Sequence, residues 1–143
     1  MNNSIVKLHN RKDNSVILVD LDTVVLIDSL DEDGKYFSMV YCDPFRRDME
    51  NTFEVNETPE KIFTTYPELG KYFLKLHDRE TNRITCVEIN YIQVIDTEYD
   101  NAGKLCSKVY VTEDSITPYI VNETPEKIYT MIEEIYKTIP NGE

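Results

Sequence analysis

The sequence predicts an α+β fold of two tandem pseudo-symmetric units, each an antiparallel β-meander of about four to five strands followed by one helix. Three observations carry this prediction. The octapeptide Val-Asn-Glu-Thr-Pro-Glu-Lys-Ile occurs twice, at Val55 to Ile62 and at Val121 to Ile128. Short alternating or β-branched segments precede both copies, and each copy holds a threonine-proline pair suited to starting a helix. The correspondence also extends beyond the octapeptide. Lys7-Leu8-His9-Asn10-Arg11 answers Lys75-Leu76-His77-Asp78-Arg79, Ile27-Asp28 answers Ile95-Asp96, Gly34-Lys35 answers Gly103-Lys104, and Val40-Tyr41 answers Val109-Tyr110. The units are expected at 1–69 and 70–143, packed together as one fused pseudo-dimer. A solenoid is not expected, because two repeats are too few to bury a continuous stacked core.

Ile5 to His9 alternates, with Val6 and Leu8 on one side and Lys7 and His9 on the other, which is the period of a strand with one buried face. Leu74 and Leu76 repeat the pattern. Val16 to Val19 and Val24 to Ile27 read as second and third strands, broken by Asp20-Leu21-Asp22-Thr23, and their counterparts are Ile84 to Val87 and Ile92 to Ile95. Asp33-Gly34, and more loosely Asn101-Ala102-Gly103, supply turn chemistry before Lys35 to Cys42 and Lys104 to Thr112 return as a fourth strand. Thr52 to Val55 and Tyr119 to Val121 are short strands leading into the octapeptide.

Thr58 and Thr124 place a hydroxyl at the N-cap, and Pro59 and Pro125 occupy the first helical position, where a missing N–H costs nothing. Glu60 and Glu126 then complement the helix dipole. The second helix continues along Ile128, Met131, Ile132, Ile135 and Ile139 and is expected to stop before Pro140, whereas Pro67 and Gly70 cut the first one short.

Composition narrows the function. The 143 residues carry a formal net charge of -12 and a pI near 4.6, so the average surface repels phosphate backbones and no nucleic-acid partner is expected. No apolar run approaches the roughly 18 residues that span a bilayer, and the Met1-Asn2-Asn3-Ser4 start lacks a basic region followed by an apolar one. A cytoplasmic protein without a membrane partner is the expectation.

Chemistry-bearing residues are few. Cys42, Cys86 and Cys106 have Val111, Leu18 and Phe37 as counterparts, and apolar replacement together with the absence of CxxC spacing points to structural thiols. His9 and His77 occupy the same position in both copies. They are either surface histidines on the polar side of their strands or a pair meeting across a pseudo-twofold axis around a ligand, and two imidazoles without a third local ligand do not make a metal site. The acidic stretch Asp28 to Gly34 lacks oxygen ligands at both ends of a calcium-loop alignment and reads as a solvated hairpin. No GxGxxG, Walker, GxSxG or HExxH pattern is present, and no carboxylate pair is singled out, so neither an enzyme nor a cofactor is expected.

The strand-strand-turn-strand-strand-helix unit, carried by Lys7-Leu8-His9-Asn10, Val16 to Val19, Val24 to Asp28, Val55 to Ile62 and their second-copy partners, resembles the short FlbD-like domains of flagellar or swarming proteins. The turn after the first strand departs from that pattern, with Lys12-Asp13-Asn14-Ser15 and Glu80-Thr81-Asn82-Arg83 in place of asparagine-glycine. The resemblance implies a small β-rich interaction domain without catalytic residues. A similar strand-rich pattern occurs in LytTR-type DNA-binding domains, a function that the acidic charge opposes.

The function expected is therefore a non-enzymatic binding or assembly module acting through protein-protein contacts or self-association, in the setting of a phage or mobile-element accessory protein. Ten tyrosines and no tryptophan supply amphipathic anchors. The partner-binding candidates are Phe45, Arg46 and Arg47, in a loop that carries a few extra residues in the first copy. The alternative is capture of a small anionic, nucleotide-like ligand between the repeats by the retained cations Arg11, Arg79, Lys35 and Lys104 with His9 and His77.

Overall fold

The computed structural model describes residues 5–42, 52–111 and 118–138. The chain divides into two compact units, Met1–Leu69 and Gly70–Glu143. The fold is α+β, built from antiparallel sheets and two helices. The elements of unit 1 are β1 (Ile5–His9), β2 (Val16–Asp20), β3 (Val24–Glu32), β4 (Lys35–Cys42), β5 (Thr52–Val55) and α1 (Pro59–Thr65). Those of unit 2 follow in the same order as β6 (Phe73–His77), β7 (Ile84–Glu88), β8 (Ile92–Tyr99), β9 (Leu105–Val111), β10 (Tyr119–Val121) and α2 (Pro125–Thr138).

In unit 1, β1 and β2 form a hairpin in which Val6 faces Val19 and Leu8 faces Ile17, while β4 lies between β3 and β5. In unit 2, β6 pairs with β7 and β9 lies between β8 and β10. Each long hairpin carries a register shift at the same place, between Val24 and Leu26 and between Ile92 and Val94. The strand breaks read from the sequence are short 3-10 turns, at Leu21–Thr23 and Ile89–Tyr91. Each is capped by the preceding carboxylate, Asp20 accepting the Asp22 N–H at 3.0 Å and Glu88 accepting the Asn90 N–H at 2.7 Å.

Strand β3 runs further than its apolar stretch, through Glu32. The tight Asp33-Gly34 turn, with φ of +53° and +82°, brings Glu32 opposite Lys35 and so draws the polar residues into the ladder. The turn after β1 closes differently. Asn14 and Asn82 take φ near +60°, and the N–H of Asn10 and of Asp78 reaches back to the carbonyl of Ser15 and of Arg83. Asparagine supplies the left-handed residue there, with no glycine required.

The cores are matched position by position. Val6, Leu8, Val40, Val55 and Ile62 are buried in unit 1, and Leu74, Leu76, Val109, Val121 and Ile128 are buried at the counterpart positions of unit 2. Ile62 and Ile128 anchor α1 against β3 and α2 against β8, each contributing roughly 1.5–3 kcal/mol of burial. Both helices start as the sequence predicts. Thr58 accepts the Lys61 N–H at 3.2 Å and Thr124 accepts the Lys127 N–H at 3.1 Å. Helix α1 ends at Thr65, with Tyr66 as its C-cap before Pro67, and a 3-10 segment, Pro67–Lys71, follows. Helix α2 is twice as long, 14 residues against 7, with Ile128 buried and Met131, Ile132 and Ile135 half-buried along one stripe. Among the described residues no helix is long and apolar enough to cross a membrane.

Candidate functional site

The octapeptide does more than start a helix. Its third residue, Glu57, reaches back to β1, where Oε1 accepts the His9 backbone N–H at 3.0 Å and Oε2 lies 2.6 Å from His9 Nδ1. Glu123 engages His77 in the same way, at 2.9 and 2.7 Å. The neighbouring asparagine completes the contact. The Asn56 N–H donates to the His9 carbonyl at 2.8 Å and its side-chain amide donates to Asn14 Oδ1 at 2.8 Å, and Asn122 repeats both bonds with His77 and Asn82. From below, the buried Ser38 and Ser107 hydroxyls donate to the Glu57 and Glu123 carbonyls at 2.6 and 2.7 Å. Each octapeptide is thus a latch that closes the outer edge of the first strand, tying β1 or β6 to the start of the helix.

Burial pushes the Glu57 carboxyl up, but the hydrogen bonds from the His9 ring and backbone outweigh it and leave the group below its ordinary range. The two histidines therefore each have a carboxylate partner within their own unit. Their Nδ1 atoms are committed to it, while the rings remain partly exposed. Among the described residues no group of three or more His, Cys, Asp or Glu is placed to hold a metal ion.

The retained arginines also have local partners. Arg11 lies over the Phe37 ring, 3.9 Å from its centroid, and pairs with Glu32 at the β3–β4 tip and with Glu54 at 3.4 Å. Lys35 is the register partner of the same Glu32. In unit 2, Arg79 Nε lies 4.0 Å from Asp100 Oδ2 and the Lys104 N–H donates to Asp100 Oδ1 at 2.7 Å. The backbone bond from Lys104 leads the interactions that hold the Asp100 carboxyl below its ordinary range. In each unit, then, the arginine pairs with an acidic residue at a hairpin tip, and the lysine neighbours that residue through the backbone. A polar groove of about 510 Å³ does run beside Arg11 and Lys12, but Glu54 forms part of its wall. That arrangement staples one turn to another and leaves little positive field for an anion.

The thiols behave as buried apolar groups. Cys86 and Cys106 are buried and Cys42 is half-buried, and burial raises the pKa of Cys42 and of Cys106. The register makes Cys42 the counterpart of Val111 and Cys86 that of Leu18. Cys86 is buried as expected although its counterpart is not, Leu18 being 66% exposed. Leu18 belongs to an outer face of the β1–β2 hairpin that also presents Ile5 and Val16, at 46% and 53% exposure. The counterparts of Ile5 and Leu18 in unit 2, Phe73 and Cys86, are buried. Sequence periodicity gave no sign of this difference, since both hairpins are apolar at these positions. Phe45, Arg46 and Arg47 lie outside the described residues.

No family model matches the chain, and neither a curated protein nor a solved structure matches it.

Proposed function

We propose that the protein is a non-enzymatic binding or assembly module built by duplication of one small unit, and that it acts through protein-protein contacts. The repeated octapeptide, the common order of elements and the twice-built latch support the duplication. Drift of residues between copies normally spares what each unit needs in order to fold, and the latch residues Asn, Glu and His are all kept.

The observation that carries the binding role is the outer face of the β1–β2 hairpin. Ile5, Val16 and Leu18 sit on one face of a two-stranded ribbon and remain about half exposed or more. Lys7 is the partner of Leu18 across the ribbon, His9 that of Val16 and Asp20 that of Ile5, so the apolar side chains are bordered by polar ones. Isolated exposed apolar residues need no explanation, but three on one hairpin face with a polar border match the makeup of an interaction surface. The anionic-ligand alternative has less support, because the two arginines it needs are already paired with carboxylates.

The test is native mass spectrometry of the untagged protein and of a Leu18→Glu variant. The expected result is a discrete oligomer or a protein complex for the wild type, lost in Leu18→Glu while circular dichroism stays unchanged. A wild type that is monomeric and without partner, with the variant indistinguishable from it, would remove the proposal.

A further inference from the structure

The β1–β2 hairpin has one closed edge and one open edge. On β1 the Lys7 N–H donates to the Tyr66 hydroxyl at 2.9 Å and the His9 N–H donates to Glu57 Oε1 at 3.0 Å, so both point away from β2. Lys7 lies opposite Leu18 and His9 opposite Val16. In antiparallel pairs of this non-hydrogen-bonded kind the backbone groups of both residues face outward, so Leu18 and Val16 direct their N–H and C=O groups to the far side of β2. Among the described residues β2 pairs with β1 alone, so those groups meet no other strand.

Edge strands that stay unpaired are normally guarded by charge, and β8 shows that device. Among the described residues it pairs with β9 alone. The Asp100 N–H donates to the Lys104 carbonyl at 2.9 Å, and alternation from that pair turns the Thr97 and Tyr99 N–H groups outward. Asp96 Oδ1 accepts the first at 2.8 Å and Glu98 Oε1 accepts the second at 3.2 Å. Strand β8 thus caps its own outward donors with carboxylates. Strand β2 lacks such a guard: Val16-Ile17-Leu18-Val19 carries no charge, and the Val16 and Leu18 side chains are exposed.

We propose that the outer edge of β2 pairs antiparallel with β2 of a second copy of this chain, about a twofold axis at Leu18. The edge is self-complementary in that register. The twofold axis sets Leu18 opposite Leu18 of the second copy, so that each outward N–H meets an outward carbonyl, and it sets Val16 opposite Asp20 of the second copy. The two ribbons then form one four-stranded sheet by strand addition, and their exposed apolar faces join across it. The two Asp20 carboxylates lie at opposite ends of the pairing and do not meet. Strand β8 of a second copy suits this edge less, because Asp96 and Glu98 already hold its donors. The inference rests on the binding-module reading and deepens it, naming the partner of the hairpin face and the register of the contact.

The test is native mass spectrometry of the untagged full chain, together with mild oxidation of Leu18→Cys, Val16→Cys and the wild type, read on non-reducing gels. The wild type should be a dimer. A hydrogen-bonded antiparallel pair holds its Cα atoms about 5.5 Å apart, within disulfide reach, so Leu18→Cys should form a covalent dimer that reductant opens. Two residues at position 16 would lie about 14 Å apart along the strands, so Val16→Cys should stay at the wild-type background. A dimer in which the two cysteine variants crosslink equally, or neither does, would overturn the proposal and leave the binding role of the hairpin face standing. A complex with a different protein that Leu18→Glu disrupts would do the same. A wild type that is monomeric and without partner would remove both.

Discussion

Glu57 holds His9 at two points, through the backbone N–H at 3.0 Å and the ring Nδ1 at 2.6 Å. Two acceptor oxygens on one part-buried carboxylate thus fix both the strand edge and the imidazole orientation. The same pair recurs as Glu123 and His77, so each unit supplies a control for the other.

Glu57→Gln keeps the shape and one acceptor oxygen but cannot serve both donors as a charged acceptor. Hydrogen bonds to charged groups contribute about 1.5–3 kcal/mol, so the variant should lose about 2 kcal/mol of stability in unit 1. Urea unfolding followed by hydrogen exchange of the β1 amides checks this, and Glu123→Gln should shift the protection to β6 instead. A loss spread evenly over both units would contradict the local role of the latch.

Acid should undo the first latch. Glu57 has a native pKa below its ordinary value of 4.5, so its contribution is fully present above that value and is lost as pH falls through the lowered native one. The urea midpoint of the wild type should therefore drop more steeply than that of Glu57→Gln in the acid range below the ordinary carboxylate value. Parallel slopes for the two proteins would show that the linkage lies elsewhere.

Ser38→Ala and Ser107→Ala remove a buried hydroxyl that donates to the Glu57 or Glu123 carbonyl, at 2.6 or 2.7 Å. Each should cost about 1–2 kcal/mol, because the carbonyl loses a partner in a place that water does not reach. Chemical denaturation of the two single variants and the double variant gives the magnitudes. The effects should add, since the two serines share no partner.

Thiol labelling at neutral pH should be slow in the native protein. Cys86 and Cys106 are buried, and burial raises the pKa of Cys106 and of Cys42. Cys42, half-buried, should react first, and all three thiols should react at once in denaturant. A rapid burst from one native thiol would indicate an activated cysteine and reopen nucleophilic chemistry.

The elements were legible wherever a local rule decides the backbone. Alternation placed β1 and β6, threonine-proline placed the helix starts, and Asp33-Gly34 placed a hairpin. The latch was less legible because Glu57 lies 48 residues from His9, and periodicity carries no information about such a pairing. Its trace in the sequence was the retention of both residue types in both copies, which capping alone explains only for the threonine. The length of β3 was hidden because the mostly polar stretch Asp28 to Glu32 joins the ladder through its partners in β4 and not through its own propensity. The exposure of Leu18 was hidden for a related reason. Burial depends on what covers a face, and an isoleucine or leucine reads the same with or without a cover.

The two latches use the same residues in the same order, so either glutamate is chemically suited to either histidine. A chain leaving the unfolded state therefore meets a correct partner and a decoy of equal quality. Distance along the chain is a weak arbiter, since each doubling of a closed loop costs only about 0.6 kcal/mol more. Selection between them falls on the parts that have diverged: the tight Asp33-Gly34 turn against the longer Asp100–Lys104 loop, and the short α1 against the long α2. Asymmetry between the two units is thus what favours one pairing of latches over the other.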